Sequence, residues 1–321
     1  MRRETFASRS IGWIALSVMI LASSTHNSFS KALTEALSPL SIVFLSEFLT
    51  AFFIFLSFGT LPTIRTLLHV HQKEIAPLLL FGILNGIIAP FFLFTGLQYT
   101  TAVNGELFGR WEVIAFIFFG YFLLGERHFT RTHLLAGIII ALGILTVTLE
   151  GFQKSFSFHI GDLLIVLAMS VYACGATVFK RFLSRVQPQV AIVGRSLIAM
   201  MAFFLLSPFH QHPLLAELRL FPFELLPVLI GFGAISRFLH LLSFYEAIEH
   251  LPVSTVSLVS TLNIVGGVTF AHLYLGESVL WYHFTGGALI VLGTLSLELL
   301  GVHPTPEHHE RHIQQHHRHH L

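Results

Sequence analysis

The sequence predicts an all-α integral membrane protein of ten transmembrane helices, arranged as two inverted five-helix repeats. Three observations lead there. The 321 residues are 54% hydrophobic and only 11% charged, where a soluble chain would be about a quarter charged. Apolar stretches of membrane-spanning length recur along nearly the whole chain. The second half of the chain resembles the first, with an offset near 150 residues.

The ten expected spans cover 10–29, 39–59, 75–98, 102–124, 132–149, 159–179, 188–208, 223–248, 253–275 and 279–300. Met1-Arg2-Arg3 before an apolar run would also suit a signal peptide. Residues 11–31, however, match 160–180, which makes that run the first span. Pro90 in the third span should kink it, because proline lacks the amide donor and crowds the preceding turn. Gly82 and Gly86, Gly231 and Gly233, Gly266 and Gly267, and Gly286 and Gly287 mark places where helices can approach closely.

The repeat is carried by specific residues. Leu124-Gly125-Glu126 is followed by His133, Gly137 and Gly143, and Leu275-Gly276-Glu277 by His283, Gly287 and Gly293. The His-to-Gly spacings are identical, and the turns after the glutamates differ by one residue. Ile11-Gly12 with Lys31 recurs as Ile160-Gly161 with Lys180. Each repeat holds an odd number of spans, so the second must insert upside down relative to the first. The expected organisation is 1–150 for the first repeat, 151–300 for the second, and a polar tail over 301–321.

Lys and Arg fix the expected orientation. With the N-terminus inside, twelve of them fall on inner segments and three on outer ones. Both termini are expected on the cytoplasmic side of the cytoplasmic (inner) membrane. The tail holds eight of the chain's 20 His. Imidazole suits Zn, Ni and Cu, but the tail lacks the regular spacing of a structural zinc site and reads as a disordered polar segment. No metal site or cofactor is expected. A lone Cys174 gives no disulfide framework. No Walker-type loop, Gly-x-Ser-x-Gly or His-Glu-x-x-His is present, so the chain is not read as an enzyme.

Charged residues inside spans are costly and usually face the bundle interior or a wet cavity. Glu106 and Arg110 are four apart and should pair on one helix face. Glu112 lies about 200° around a straight helix from Arg110 and should point elsewhere, toward another helix or the cavity. Glu47 and Glu112 have no Lys or Arg one turn away on their own helix and are candidate proton sites. Arg237 has no acidic residue within a turn, so it needs a partner on another helix or a ligand. Arg195 lies nearer the inner end, where its head group could snorkel to the interface. Asp162 reads as a cap or flank of span six. The candidate substrate-binding set is His26, Glu47, Asn85, Glu106, Arg110, Glu112, Arg237, Ser257 and Asn263. Structural readings compete at each: interhelical hydrogen bonds for Asn85 and Ser257, and a satisfied core imidazole for His26.

The two Leu-Gly-Glu motifs, the glycine-rich spans after them, Gly161-Asp162 and Lys180 resemble the drug/metabolite transporter superfamily, and within it a protein with two EamA-type repeats. The resemblance covers about residues 8–300. It implies ten helices around a central cavity and export or exchange of small metabolites. Where many members carry proline just inside spans four and nine, this chain has Val113 and Ile264; where many have Arg in span two, it has Glu47. The expectation is a secondary transporter exporting a small polar metabolite, such as an amino acid, by alternating access. The alternatives are a cation, metal or amine exporter with a sensing tail, and a non-transporting receptor or assembly partner. The expected partners are the lipid bilayer and a small-molecule substrate, in a monomer or homodimer, without nucleic acid.

Overall fold

The computed structural model describes residues 6–124, 131–149, 159–209, 213–251, 256 and 259–300. The expected tail over 301–321, the linker over 150–158, Glu126 and Ser257 lie outside them. No strand occurs among the described residues. Six helices there are long and apolar enough to cross a bilayer. They include Pro39–Phe58 (α3), Arg131–Thr148 (α9), Ile160–Phe182 (α10) and a helix that begins with Pro188–Leu206 (α11). Two more are continuous runs over Gln72–Tyr99 and Phe223–Phe244. Helices also fall on the other four expected segments: Phe6–Ser24 (α1) with His26–Thr34 (α2), Ala102–Phe108 (α7) with Trp111–Leu124 (α8), Asn263–Leu275 (α15), which covers only the later part of 253–275, and Trp281–Leu300 (α16). Leu21, Leu56 and Phe122 point outward from the bundle, as lipid-facing residues do. The chain is a multi-pass membrane protein.

Local chemistry sets the helix ends. Ser38 precedes Pro39 and accepts the Ser41 N–H, and α3 stops at Gly59, whose φ is +81°. Short helices Thr60–Leu68 (α4) and Leu214–Leu220 (α12) connect spans two to three and seven to eight. The first span is broken at Thr25, whose Oγ1 donates to the Ala22 carbonyl at 2.7 Å.

Spans three and eight each carry a π-helical stretch. Gln72–Phe81 (α5) passes through Gly82–Ile88 into Ala89–Tyr99 (α6). Leu226–Gly231 (α13) passes through Phe232–Leu239 into His240–His250 (α14). The two π stretches begin 150 residues apart. Pro90 sits just beyond the first, so the missing donor and the ring clash fall where the helix has already widened.

The packing follows the repeat. Helix α9 lies along α16, joining the fifth span of one half to the fifth of the other. Helix α1 packs on α14 as α10 packs on α6, and α1 on α15 as α10 on α8. Helix α3 packs on α11. Contacts paired in this way are what a two-fold relation between halves requires. The core between the halves is built from Phe94, Phe108, Phe232, Ile140, Ile165 and Ile290, all essentially fully buried.

Glycine sets the closest approach. A Cβ on Gly143 would lie 2.6 Å from the Gly286 carbonyl oxygen, and one on Gly286 would lie 2.7 Å from the Gly143 carbonyl oxygen. Gly137, on the same helix, has open space around it. Gly143→Ala is therefore expected to lower stability by about 1–3 kcal/mol, because backbone cannot yield to the new methyl. Gly137→Ala should not. Thermal unfolding of the detergent-purified variants checks this, and equal losses at both positions would refute the close-packing account.

Candidate functional site

A cavity of about 400 Å³ opens among spans one, two, three, four, six, seven, eight and nine. His26, Glu106, Arg110, Glu112, Arg237 and Asn263 line it, so six of the nine sequence candidates converge there. Arg195, Tyr172, Asn27 and Ser236 join them.

Glu47 stands directly behind the cavity wall, with its side chain 1% exposed. Its Oε1 accepts from Arg237 Nη2 at 3.0 Å. Arg195 Nη2 donates to both its oxygens at 3.2 Å, and Ser196 Oγ donates to Oε2 at 2.5 Å. Arg237 Nε adds a 3.1 Å bond to Thr50 Oγ1. Arg237 thus finds its partner on another helix, as its isolation in sequence requires. Arg195 does not snorkel. It turns inward, because the Glu47 carboxylate offers two charge-assisted acceptors that outweigh the reach to the interface. The triad holds two cations and one anion, so one positive charge is left over beside the cavity that both arginines line.

The expected pair of Glu106 and Arg110 does not form. Helix α7 ends at Phe108 and α8 starts at Trp111, so the four-residue spacing no longer places the two side chains on one face. Arg110 Nη2 donates instead to Asn263 Oδ1 at the start of α15. Glu112 lines the cavity, one of the two places the sequence leaves open for it, and Arg110 lines it too. Among the described residues, neither Glu106 nor Glu112 forms an ion pair. The Glu106 Oε1 is buried without a hydrogen-bond partner. It lies against Gly267, where a Cβ would collide with the carboxyl group.

Asn85 is one layer removed from the cavity. Its Nδ2 donates to the Tyr172 carbonyl at 3.3 Å, and its amide lies against Gly175. The His26 ring packs on Phe232, with centroids 5.3 Å apart, and borders the cavity with its neighbour Asn27. Asp162 is not a helix cap: it is buried, and its Oδ1 accepts from Thr100 Oγ1 at 2.5 Å and Asn104 Nδ2 at 3.3 Å across the bundle. Sequence reasoning missed Asn27, Tyr172 and Ser236. Ser236 shares a 2.6 Å hydroxyl bond with Thr25, joining the break in span one to the π stretch of span eight. Only the spatial meeting of those irregular segments reveals it.

Removing the Glu47 charge should leave two buried guanidinium groups without a counter-ion. Glu47→Ala is expected to cost about 3–5 kcal/mol, whereas Glu112→Gln, which breaks no ion pair, should unfold within about 0.5 kcal/mol of the parent. Denaturation in a mild detergent compares the two directly.

An EamA-like transporter family model matches residues 9–149 and again 159–298. An uncharacterized transporter of Methanothermobacter thermautotrophicus is 28% identical over 233 residues, 71% of this chain. An uncharacterized transporter of Synechocystis sp. is 22% identical over 224 residues, 67% of this chain. The matches span 66% and 62% of those relatives' own lengths. A crystal structure 19% identical in sequence superposes with a TM-score of 0.55, covering 92% of this chain and 97% of its own, which supports the fold alone. With both halves matched by one family model, the chain belongs to the EamA-like transporter family.

Proposed function

We propose that this protein is a ten-span secondary transporter that exports a small zwitterionic metabolite, an amino acid being the leading class, by alternating access. Both termini face the cytoplasm in this reading, and the membrane is the cytoplasmic one. The observation that carries it is the cavity, where arginines and unpaired carboxylates stand together in a site built from both repeats. Arg110, or the surplus charge of Arg195 and Arg237, meets the substrate carboxylate, which a guanidinium can grip through two hydrogen bonds. Glu112, with no ion pair of its own, meets the ammonium. Tyr172, Met169 and Leu93 give the cavity apolar surface for a side chain. Such a substrate replaces, with matched charges, the water that otherwise solvates these groups.

Ligand-dependent unfolding tests the assignment. A ligand at 100-fold its Kd should add about 2.7 kcal/mol to the folded state. Amino acids should raise the unfolding temperature of the wild type, whereas sugar phosphates and nucleotide-sugars should not. Arg110→Ala and Glu112→Gln should each lose that shift, and flux in reconstituted vesicles, while keeping their folded yield. Wild-type flux in both variants would remove the assignment.

A further inference from the structure

One copy of each repeated motif comes to the turn between spans three and four: Glu277, Gly161-Asp162 and Lys31. Glu277 Oε1 accepts the Ala102 N–H at 2.7 Å, and its Oε2 accepts the Val103 N–H at 2.8 Å. Those are the first two residues of α7. The third amide, of Asn104, is taken by Thr101 Oγ1 at 3.0 Å. Asp162 holds Thr100 and Asn104. Gly161 lets span six lie against the Gly96 carbonyl and the backbone at Tyr99. Lys31 donates to the Leu97 carbonyl at 2.6 Å, closing the end of α6.

The local sequence aims Glu277. Helix α15 stops at Gly276, whose φ of +69° suits glycine and reverses the chain. His272 Nδ1 then donates to the Glu277 carbonyl at 2.7 Å, fixing that backbone. The carboxylate is left to reach across from the second half to a helix start in the first, where amides without helical partners and the helix dipole both favour an anion.

We infer that Glu277 is a positioning residue that holds α7, and through it Glu106, Arg110 and Glu112, from the opposite repeat, forming a detachable bond that keeps the cavity shut at the end where α7 begins. The inference rests on the alternating-access reading. Two charge-assisted hydrogen bonds to backbone suit a latch, because they are strong while dry and are replaced by water when the halves part. Asp162 keeps the turn itself folded when the latch is open, since its bonds to Thr100 and Asn104 do not involve Glu277.

The test uses full-length protein in sealed vesicles, with Cys174→Ser to remove the native thiol and Met169→Cys as a reporter on the cavity wall. A membrane-impermeant maleimide is supplied from one side or the other. With Glu277→Ala added, labelling from the side where α7 begins should rise at least about five-fold, with no rise from the other side. Glu277→Asp should fall between. Hydrogen exchange gives a second reading in Glu277→Gln, which keeps the shape and one acceptor: the amides of Ala102 and Val103 should exchange faster, with α9 and α16 unchanged. Unchanged labelling, or an equal rise from both sides, overturns the latch and leaves transport standing. A reporter unlabelled from either side in wild type and variants alike overturns the latch together with the transport reading.

Discussion

Everything at the centre of this protein is arranged around a carboxylate that cannot be left alone. Glu47 is buried at mid-span, its side chain 1% exposed, and an ionised group there must be paired or bonded. Two arginines and a hydroxyl meet it, all three from the second half. The ion pairs therefore tie spans two, seven and eight, and so hold the repeats together at their core. Because one carboxylate takes two guanidinium groups, the same contact leaves a net positive charge at the cavity wall. Stability and the electrostatics of the cavity come from one set of bonds.

The fold was legible because its causes are linear in sequence. Apolar runs report spans by length, and the matched glycines at 143 and 293 report the close approach of α9 and α16. The site was legible in membership and not in pairing. A charge within an apolar run announces itself, which is why His26, Glu106, Arg110, Glu112, Arg237 and Asn263 could be named. Their partners depend on where helices break and cross. Glu106 and Arg110 look like a pair only on a straight helix, and the interruption after Phe108 sends Arg110 to Asn263. A signal for that break exists in Gly105 and Gly109, both poor helix formers. It competes with an apolar pattern that continues unbroken on either side.

Irregular helix recurs where function is proposed. The break at Thr25, the break after Phe108 and the π stretch at Phe232–Leu239 all border the cavity or join beside it. A spanning segment can afford such departures only where protein or a wet cavity satisfies the released backbone groups. The polar wall permits the irregular backbone, and the irregular backbone turns polar side chains into the wall. Neither would persist against lipid.

The repeat explains the frame but cannot explain the charges. Glu47 and Ser196 are equivalent positions, 149 apart, and they touch through a 2.5 Å hydrogen bond. Residues that are both equivalent and in contact lie beside the axis relating the halves. A second glutamate at position 196 would set two carboxylates against each other there, with only the arginines to separate them. Strict symmetry is therefore unavailable at the axis itself. The same offset pairs Arg195 with Ser46, and Arg237, 150 residues on, with Ile87. Each charged residue of the triad has a neutral counterpart in the other half. The scaffold can be duplicated because glycine and apolar contacts tolerate a copy; the charges must differ between copies, because like charges at an axis repel, and that difference gives the cavity distinct places for opposite charges.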